Sequence, residues 1–486
     1  MAEYYTPGVY TEKLKNKSLV IQGVSTSVAA FVGTAKRGKV NTPVYITSWN
    51  DFIENFAYGL ESAFDKNSYL SFSVYQFFNN GGSRCYVSLA STSDLATASA
   101  EVKAGTGDAI TFSAKDGGAW GNSLKISCKK NEIEENAFDL VITNGIETET
   151  HSQLSNEEGA EKYFIDYLKT YSKFINVVTG SKLSEFDETS FTGGKDSGEC
   201  SDNDYLKALQ AFDAVDDATL FAIPGQTGIN VVRGLLDYVD NHNFTFAAID
   251  PPMGTTTATE LKELRKKYSC ERAVLLNTWI KVNDPLSSVS GKLRTIPPSG
   301  FYLGVIARTI EESGPWEAPA GTKATVNGAI ELVFDPKKGD TDMLNPLGII
   351  SILTKPNFGI CVWGARAITS DSNYKYVSDI LFDIYIRKSV QESTQPFVFE
   401  LNRGTGRFPE ATLWSRIIAT CESFLNYIWE QGGLKGNTSS DAYYVKCDEE
   451  LNPESMVDRG YCITEIGYAS AKPAEFVVFR FKNSLS

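Results

Sequence analysis

One stretch of the sequence constrains the fold more than any other, because strand-like and helix-like segments alternate through it. Between about residues 200 and 365, short apolar runs alternate with segments whose apolar residues recur at helical spacing. The predicted strands are 219–223, 244–249 and 273–276, and the predicted helices are 206–212, 231–239 and 261–268. Since strands separated by helices are joined by crossover connections, we predict an α/β domain with a largely parallel sheet.

The flanking sequence has a different texture and indicates further domains. The chain has 486 residues, of which 42% are hydrophobic, so several cores can form. From 96 to 199, short alternating stretches are separated by turn residues such as Asn144-Gly145, which predicts a β-rich insertion of sandwich or barrel type with one helix at 163–171. We predict an N-terminal arm (1–20), the N-terminal part of an inner core domain (21–95), the insertion (96–199), the α/β domain (200–365), a C-terminal α+β core domain (366–470) and a C-terminal strand arm (471–486).

A long amphipathic helix is predicted near the end of the chain. Apolar residues between Leu413 and Trp429 recur at helical spacing and form one continuous stripe. Gly432-Gly433 ends the pattern, while Arg416 and Glu430 fall on the opposite face. The pattern predicts a helix that packs one face against a core.

Both ends of the sequence carry strand-forming segments with no obvious partner nearby. The first contains Tyr4, Tyr5, Val9 and Tyr10, and the last contains Phe476, Val477, Val478, Phe479 and Phe481. An unpaired strand either pairs within its own molecule or adds to the sheet of another chain. The sequence leaves both outcomes open.

Charge and composition exclude several classes of protein. Lys and Arg total 46 and Asp and Glu total 60, which gives a net charge of −14. This acidic balance argues against binding to nucleic acid or to an anionic membrane surface. No apolar run is long enough to span a bilayer, and the first residues lack the pattern of a secretion signal. The eight cysteines are scattered without a Cys-x-x-Cys pair, which is typical of a protein made in a reducing cytosol.

Motifs for catalysis are weak. Lys195 and Lys292 follow glycines, but neither is followed by the Ser or Thr of a phosphate-binding loop. A hydrolase triad of Asp196, Ser197 and His242 lacks the Gly-x-Ser-x-Gly elbow, and we expect His242 to be a solvated residue at a helix end.

The remaining candidates for chemistry are also better explained as surface residues. His151 lies in a polar stretch, where we expect it to be an exposed loop residue. Asp213, Asp216 and Asp217 lack the spacing of a calcium loop and are predicted to lie at a solvated helix end. We therefore predict a protein that is not an enzyme, with no cofactor and no metal site.

A series of short motifs resembles one family in order along the chain. The most specific are Tyr443-Tyr444-Val445-Lys446-Cys447-Asp448 and Lys472-Pro473-Ala474-Glu475-Phe476. Weaker matches precede them at 6–10, 28–33, 80–87, 222–225 and 362–366, and another lies at 452–453. With these motifs the chain resembles the sheath proteins of contractile phage tails and phage-tail-like bacteriocins. Residues 96–199 match in character only.

The resemblance implies a structural protein. The family's α/β region is similar to a subtilisin fold without its catalytic residues, and its subunits stack as six-membered rings around an inner tube. The rings contract and drive the tube through a target cell envelope. The resemblance implies that both arms add strands to neighbouring subunits. The N-terminal arm would do so with Tyr4, Tyr5, Val9 and Tyr10, and the C-terminal arm with Phe476, Val477, Val478, Phe479 and Phe481.

The resemblance also implies partners and a location. It places the helix 413–429 near the tube, with Arg416, Glu430 and Lys435 as tube-facing candidates. Besides itself and the tube protein, the expected partners are baseplate and tail terminator proteins. The expected location is a virion tail or phage-tail-like particle assembled in the bacterial cytoplasm.

One departure from the family and two alternative functions stay open. Residues 403–412 form an extra loop before Leu413-Trp414, where family members often pass directly into Leu-Trp. A hydrolase on the α/β domain would need a reactive nucleophile but no arms. A self-assembling surface-layer subunit would need secretion.

Overall fold

The computed structural model describes residues 21–59, 62–103, 109–180, 182–372, 374–402 and 413–480. These residues divide into two compact units, one of residues 25–384 and one that combines 21–24 with the described residues from 385 onward. The chain is a mixed α/β protein, as predicted.

The first unit contains most of the strands and helices. Its strands are β1 Ala29–Gly33, β2 Val44–Ile46, β3 Cys85–Leu89, β4 Ser99–Lys103, β5 Ala109–Ala114, β6 Lys125–Lys130, β7 Ala137–Thr143, β8 Thr148–Ser155, β9 Ile175–Thr179, β10 Phe186–Ser190, β11 Leu220–Ala222, β12 Phe246–Ile249, β13 Ala273–Leu276, β14 Ile280–Asn283, β15 Leu293–Ile296, β16 Glu331–Leu332, β17 Ile349–Ile350, β18 Ile352–Lys355 and β19 Gly359–Val362. Its helices are α1 Trp49–Phe56, α2 Leu70–Asn79, α3 Phe164–Tyr171, α4 Asp202–Gln210, α5 Ile229–Asn241, α6 Ala258–Arg265, α7 Ser299–Ser313 and α8 Lys338–Leu344.

A seven-stranded sheet forms the centre of this unit, in the order β17-β13-β12-β11-β1-β3-β2. All neighbours are parallel except β2 and β3, so the predicted largely parallel sheet is confirmed. Both faces of the sheet are buried. Side chains alternate along β1, where Ala29 and Phe31 enter one core and Ala30 and Val32 enter the other.

Helices cover the two faces of the sheet. Helices α2 and α7 contribute to the first core, and α4, α5 and α6 contribute to the second. Helix α7 approaches α2 closely, because a Cβ at Gly300 would lie 2.3 Å from the Ser73 carbonyl oxygen and one at Gly304 would lie 2.6 Å from that of Phe77. Glycine at these two positions therefore sets the packing of α7.

Two further sheets lie between β3 and α4 in the sequence and share one core. One has the order β10-β6-β7-β8 and the other β4-β5-β9, and α3 packs against the same core. The β-rich character of 96–199 and the helix predicted at 163–171 agree with these elements. The separate domain boundaries stay a prediction.

The second unit is helical with a small hairpin. Helix α9, Val377–Ser393, contains the boundary between the units. It is followed by α10 Leu413–Glu430, α11 Ser439–Ala442, β20 Tyr443–Lys446, α12 Glu454–Val457 and β21 Glu465–Tyr468. Strands β20 and β21 pair antiparallel. The long helix predicted at 413–429 is confirmed, and its stripe residues Leu413, Trp414 and Leu425 are buried.

Candidate assembly surfaces

The C-terminal segment presents a row of exposed apolar side chains. Phe476, Val477, Val478 and Phe479 are 76%, 69%, 74% and 76% exposed. Among the described residues, 471–480 carry no strand pairing. Large apolar side chains in a segment without a sheet partner are typical of a strand that completes its pairing on another chain. Phe481, the fifth predicted arm residue, lies outside the described residues.

This segment starts directly after a fixed point. The Lys435 N–H donates to the Ala469 carbonyl at 2.8 Å, and the Ala469 N–H donates to the Ala442 carbonyl at 2.9 Å. Leu434 and Ser470 form a β-bridge. Ten extended residues beyond Ser470 span about 33 Å, at roughly 3.3 Å per residue. The segment is therefore long enough to reach a neighbouring subunit.

The N-terminal arm residues Tyr4, Tyr5, Val9 and Tyr10 lie outside the described residues. The chain is anchored where its description begins, because the Val24 N–H donates to Ser389 Oγ at 3.1 Å and the Gln22 N–H donates to Ser393 Oγ at 3.3 Å. The end of α9 therefore holds the base of the predicted arm.

The three tube-facing candidates, Arg416, Glu430 and Lys435, are exposed. Arg416 and Glu430 lie on α10 away from its buried stripe, as the helical pattern predicts, and Lys435 follows the helix. Arg416 Nη1 lies 2.5 Å from Glu400 Oε2, and its guanidinium lies 5.3 Å from the centroid of the Phe397 ring. Glu430 accepts a hydrogen bond from Asn426 at 2.7 Å. Arg416 is thus already paired within its own unit. Contact of the three candidate residues with a tube stays a prediction.

The hydrolase candidates have separate partners. Asp196 accepts from the Ala119 N–H at 2.7 Å, and the Thr92 N–H donates to Ser197 Oγ at 2.9 Å. His242 follows α5, as expected for a residue at a helix end, and its Nε2 lies 3.2 Å from Asp213 Oδ1. No triad is assembled from these residues.

The prediction for His151 was wrong. It lies within β8 and is 7% exposed, because strand alternation in β8 turns it toward the core of the β-rich region. Its Nε2 lies 2.8 Å from Glu149 Oε1. The same Glu149 oxygen accepts a hydrogen bond from the Lys173 N–H at 2.9 Å. The two histidines of the chain are therefore both engaged with acids.

A buried acid that the sequence did not reveal lies at the end of a central strand. Asp250 follows β12 and is 4% exposed. Its carboxylate accepts from the Gly225 N–H at 2.9 Å and from the hydroxyl and N–H of Ser299, both at 2.8 Å. Burial raises the pKa of Asp250 to about 6, although the three hydrogen bonds favour the carboxylate. Asp250 ties the loop after β11 and the start of α7 to the sheet.

A buried arginine fastens the β-rich region to the large sheet. Arg37 is 7% exposed, with Nε 3.4 Å from Asp116 Oδ2. Its guanidinium also donates to the carbonyl oxygens of Ala57 and Lys173 and lies 4.5 Å from the Trp120 ring centroid. Burial lowers the pKa of Arg37. The same side chain thus contacts α1's C-terminal end and the region around β9.

Known proteins are similar to this chain in sequence and in fold. The profile of the phage tail sheath C-terminal domain family matches residues 369–483. Over 191 residues the chain is 26% identical to the tail sheath protein of Vibrio phage KVP40. The predicted resemblance to contractile tail sheath proteins is confirmed. The match takes in 39% of this chain and 26% of that relative, so the chain spans only a part of the relative's length.

The likeness in fold extends over the whole chain. The PVC sheath complex of an extracellular contractile injection system, in its contracted state, aligns with 100% of this chain and 99% of its own, at a TM-score of 0.62 and 20% identity. The sheath tail protein of Listeria innocua aligns with 93% of this chain and 96% of its own, at a TM-score of 0.66 and 11% identity. At such identities the comparison establishes a shared fold.

The region matched by the sheath family profile contains α10, the hairpin β20–β21 and the exposed residues 476–479. It also contains Arg416, Glu430 and Lys435. No helix in the described part of the chain is long and apolar enough to cross a membrane.

No sequence motif marks Asp250 or Arg37 as an important residue. Each is joined to partners that are distant in sequence, since Asp250 binds Ser299 and Arg37 binds Asp116 and the Lys173 carbonyl. The one local signal for Asp250 was its position directly after a fully apolar strand, where a parallel sheet places loop residues.

Proposed function

We propose that this chain is the structural subunit of a contractile tail sheath, stacked as six-membered rings around an inner tube. The observation that carries the proposal is the exposed apolar segment 476–479, in a fold that aligns with sheath chains along its full length. Contraction of the stack drives the tube through a target cell envelope.

Strand addition is the proposed connection between subunits. The segment that begins after Ser470 pairs with the sheet of one neighbour, and the arm within residues 1–20 pairs with another. Backbone hydrogen bonds carry this pairing, so it persists while the rigid parts of each subunit rotate. The apolar side chains of 476–479 then become buried, which adds about 25 cal/mol per Å² of apolar surface.

The large sheet supplies the rigid body in this proposal. We assign it as a subtilisin-like core without a catalytic triad, in keeping with the engagement of both histidines by Glu149 and Asp213. The proposed layout keeps the arms 1–20 and 471–486, the insertion 96–199, the core parts 21–95 and 200–365, and the C-terminal core domain 366–470. The role is structural and no catalytic step is assigned.

The proposed partners follow from the same arrangement. Helix α10, with Arg416, Glu430 and Lys435, faces the tube. A baseplate is a further partner, since a chain of the anti-feeding prophage baseplate aligns with 99% of this chain at a TM-score of 0.62. A tail terminator closes the other end, and the particle assembles in the bacterial cytoplasm.

The energy for contraction is stored in the assembly. The extended sheath is a trapped state whose interfaces are fewer or poorer than those of the contracted sheath, so release is a concerted rigid-body switch. A gain of a few kcal/mol per subunit is enough, because it is summed over many copies.

Truncation of each arm tests the proposal. Chains lacking 471–486 or 1–20 should fail to sediment as polymers in the presence of tube, while their circular dichroism and unfolding midpoint match those of the full chain. Polymers that form equally well without both arms would contradict strand addition.

A further inference from the structure

In one pocket of the first unit, every charged lining residue is a cation. It has a volume of about 300 Å³ and lies beside the C-terminal end of α6 and the loop before β17. The charged residues that line it are Lys262, Arg265, Lys266, Arg366 and Lys375. Lys266 Nζ lies 2.6 Å from Oε1 of the exposed Glu263, which is not a lining residue. In a chain with a net charge of −14, such a pocket strongly favours an anionic group.

Arg265 joins separate parts of the pocket wall through hydrogen bonds. Arg265 donates to the carbonyl oxygen of Leu347 at 3.0 Å and to that of Ile368 at 2.6 Å, and it also donates to the Tyr268 carbonyl. These partners are neutral carbonyls, so the positive charge of Arg265 is not cancelled by them. The apolar side chains of Pro346 and Leu347 also line the pocket.

A hairpin tip of the same chain has the complementary character. Between β6 and β7, the exposed residues 132–136 include Glu132, Glu134 and Glu135 but no cation. Ile133, between the acids, is 87% exposed. Among the described residues, the three glutamates form no ion pair.

The tip is shaped by its own hydrogen bonds. Asn131 Oδ1 accepts from the Ile133 N–H at 3.0 Å and from the Glu134 N–H at 2.8 Å. Asn131 Nδ2 donates to both carboxylate oxygens of Asp139, at 2.9 and 3.0 Å. The acids and Ile133 are therefore presented on a constrained turn, which lowers the entropy lost when the tip is bound.

Other acidic segments fit the pocket less well. Asp448 and Glu450 are paired with Lys446, and Asp213 is paired with His242. The loop 156–161 is acidic but lacks a large apolar side chain. The tip 131–136 combines unpaired carboxylates with an exposed apolar residue that matches Pro346 and Leu347.

We propose that the hairpin tip 131–136 of one subunit docks into the cationic pocket beside α6 of a second copy of this chain. The tip does not occupy the pocket of its own chain, because Glu132 to Asn136 are exposed there. The glutamates meet Lys262 and Lys266 at the rim, and Ile133 contacts Pro346 and Leu347. The pocket has room for about ten water molecules, which the tip displaces. This inference rests on the proposed assembly of the chain with itself.

Charge reversal on each side tests the docking. The full chain is assembled with its tube, and the critical concentration is measured by sedimentation. We expect Lys262→Glu with Lys266→Glu to raise it about tenfold, and Glu132→Lys with Glu134→Lys to do the same, since each reversal replaces attraction with repulsion. The four substitutions together should return it to within about threefold of the unmodified chain.

A control variant separates the effect of the pocket from that of the change in net charge. Lys292→Glu with Lys323→Glu makes the same charge change at exposed sites away from the pocket. Pocket reversal that acts no more strongly than this control overturns the docking and leaves the sheath assignment intact. A critical concentration that is higher for the variant with all four substitutions than for either double variant also overturns the docking and leaves the sheath assignment intact.

Carbodiimide cross-linking of polymers built from light and heavy isotope-labelled chains should join Glu132 or Glu134 of one copy to Lys262 or Lys266 of another. Cross-links from these lysines only to other acids overturn the assignment of the hairpin. A chain that never polymerises with tube and baseplate overturns both this inference and the proposed function.

Discussion

The Ser299 hydroxyl donates a hydrogen bond to Asp250 Oδ2 at 2.8 Å, and the Ser299 N–H donates to Oδ1 at the same distance. These two residues join the end of a central strand to the first turn of α7. An acid and a serine in hydrogen-bond contact resemble part of a hydrolase site, yet the contact here is fully buried and neither histidine joins it. Its role is to position a helix against a sheet.

The stability of the fold should depend on pH through Asp250. Burial raises its folded-state pKa to about 6, above the unfolded value of about 3.9. The folded protein therefore binds more protons between these values, and the stability from protonated Asp250 is fully present below pH ~4 and is lost as the pH rises through ~6. Relative to Asp250→Asn, the free energy of unfolding should fall by about 2 kcal/mol from pH 4 to pH 7, with a slope of at most about 1.4 kcal/mol per pH unit.

Urea denaturation at several pH values measures this difference. Asp187→Asn, at an exposed strand position, is the matched control for the loss of one carboxylate. A difference between the unmodified chain and Asp250→Asn that stays constant from pH 4 to pH 7 would refute the assignment.

Removing the buried arginine should loosen the β-rich region. Arg37→Ala leaves Asp116, which is 9% exposed at its side chain, without its cation. We expect a loss of about 3–5 kcal/mol in the free energy of unfolding, as for other broken buried pairs. Arg37→Lys should lose less, because the charge remains while the fork of hydrogen bonds is lost.

Chemical denaturation compares these variants with Arg233→Ala, an exposed position where we expect less than about 0.5 kcal/mol. An Arg37→Ala protein as stable as Arg233→Ala would show that the contacts of Arg37 add nothing to the stability of the fold.

The C-terminal arm should respond to proline in an alternating manner. In a strand added to a sheet edge, alternate N–H groups face the partner. Since proline removes one N–H, either Val477→Pro or Val478→Pro should abolish polymerisation, and the other should weaken it only slightly. Both sites are exposed, so the unfolding midpoint should not change.

Alanine at the same positions keeps the N–H and separates the backbone effect from that of the side chain. Sedimentation of the assembled chain is the readout. Equal effects of proline at 477 and 478, or effects no larger than those of alanine, would argue against strand addition.

Attachment to the tube should weaken with added salt. The candidate contacts are exposed charges, and exposed ion pairs are screened within about 10 Å at 0.1 M salt. Lys435→Glu should reduce tube co-sedimentation more than Arg416→Ala, because Arg416 is already paired with Glu400 at 2.5 Å. Attachment that is the same at low and high salt would count against these residues.

Local patterns predicted much of the fold. The apolar stripe of α10 is set by its own spacing, and the alternation of 200–365 fixes a parallel sheet through short crossovers. The contribution of β1 and β3 to the same sheet as β11 was not predicted, because that pairing joins Ala29 to Leu220 across almost two hundred residues.

The interior polar contacts could not be predicted for the same reason. Arg37 and Asp250 take their roles from partners far away in sequence, and His151 is buried by the pairing of β8 with β7 rather than by any local hydrophobic pattern. The assembly surfaces were different, since the apolar residues 476–479 stand out in the sequence itself. Their exposure in the fold is what the sequence left open.

Negative-stain electron microscopy of the purified chain, with its tube and baseplate, decides whether the chain polymerises as a sheath. We expect hollow tubes around the inner tube, with six-fold symmetry in end views. Particles that remain single with tube and baseplate present, at high protein concentration, would contradict it.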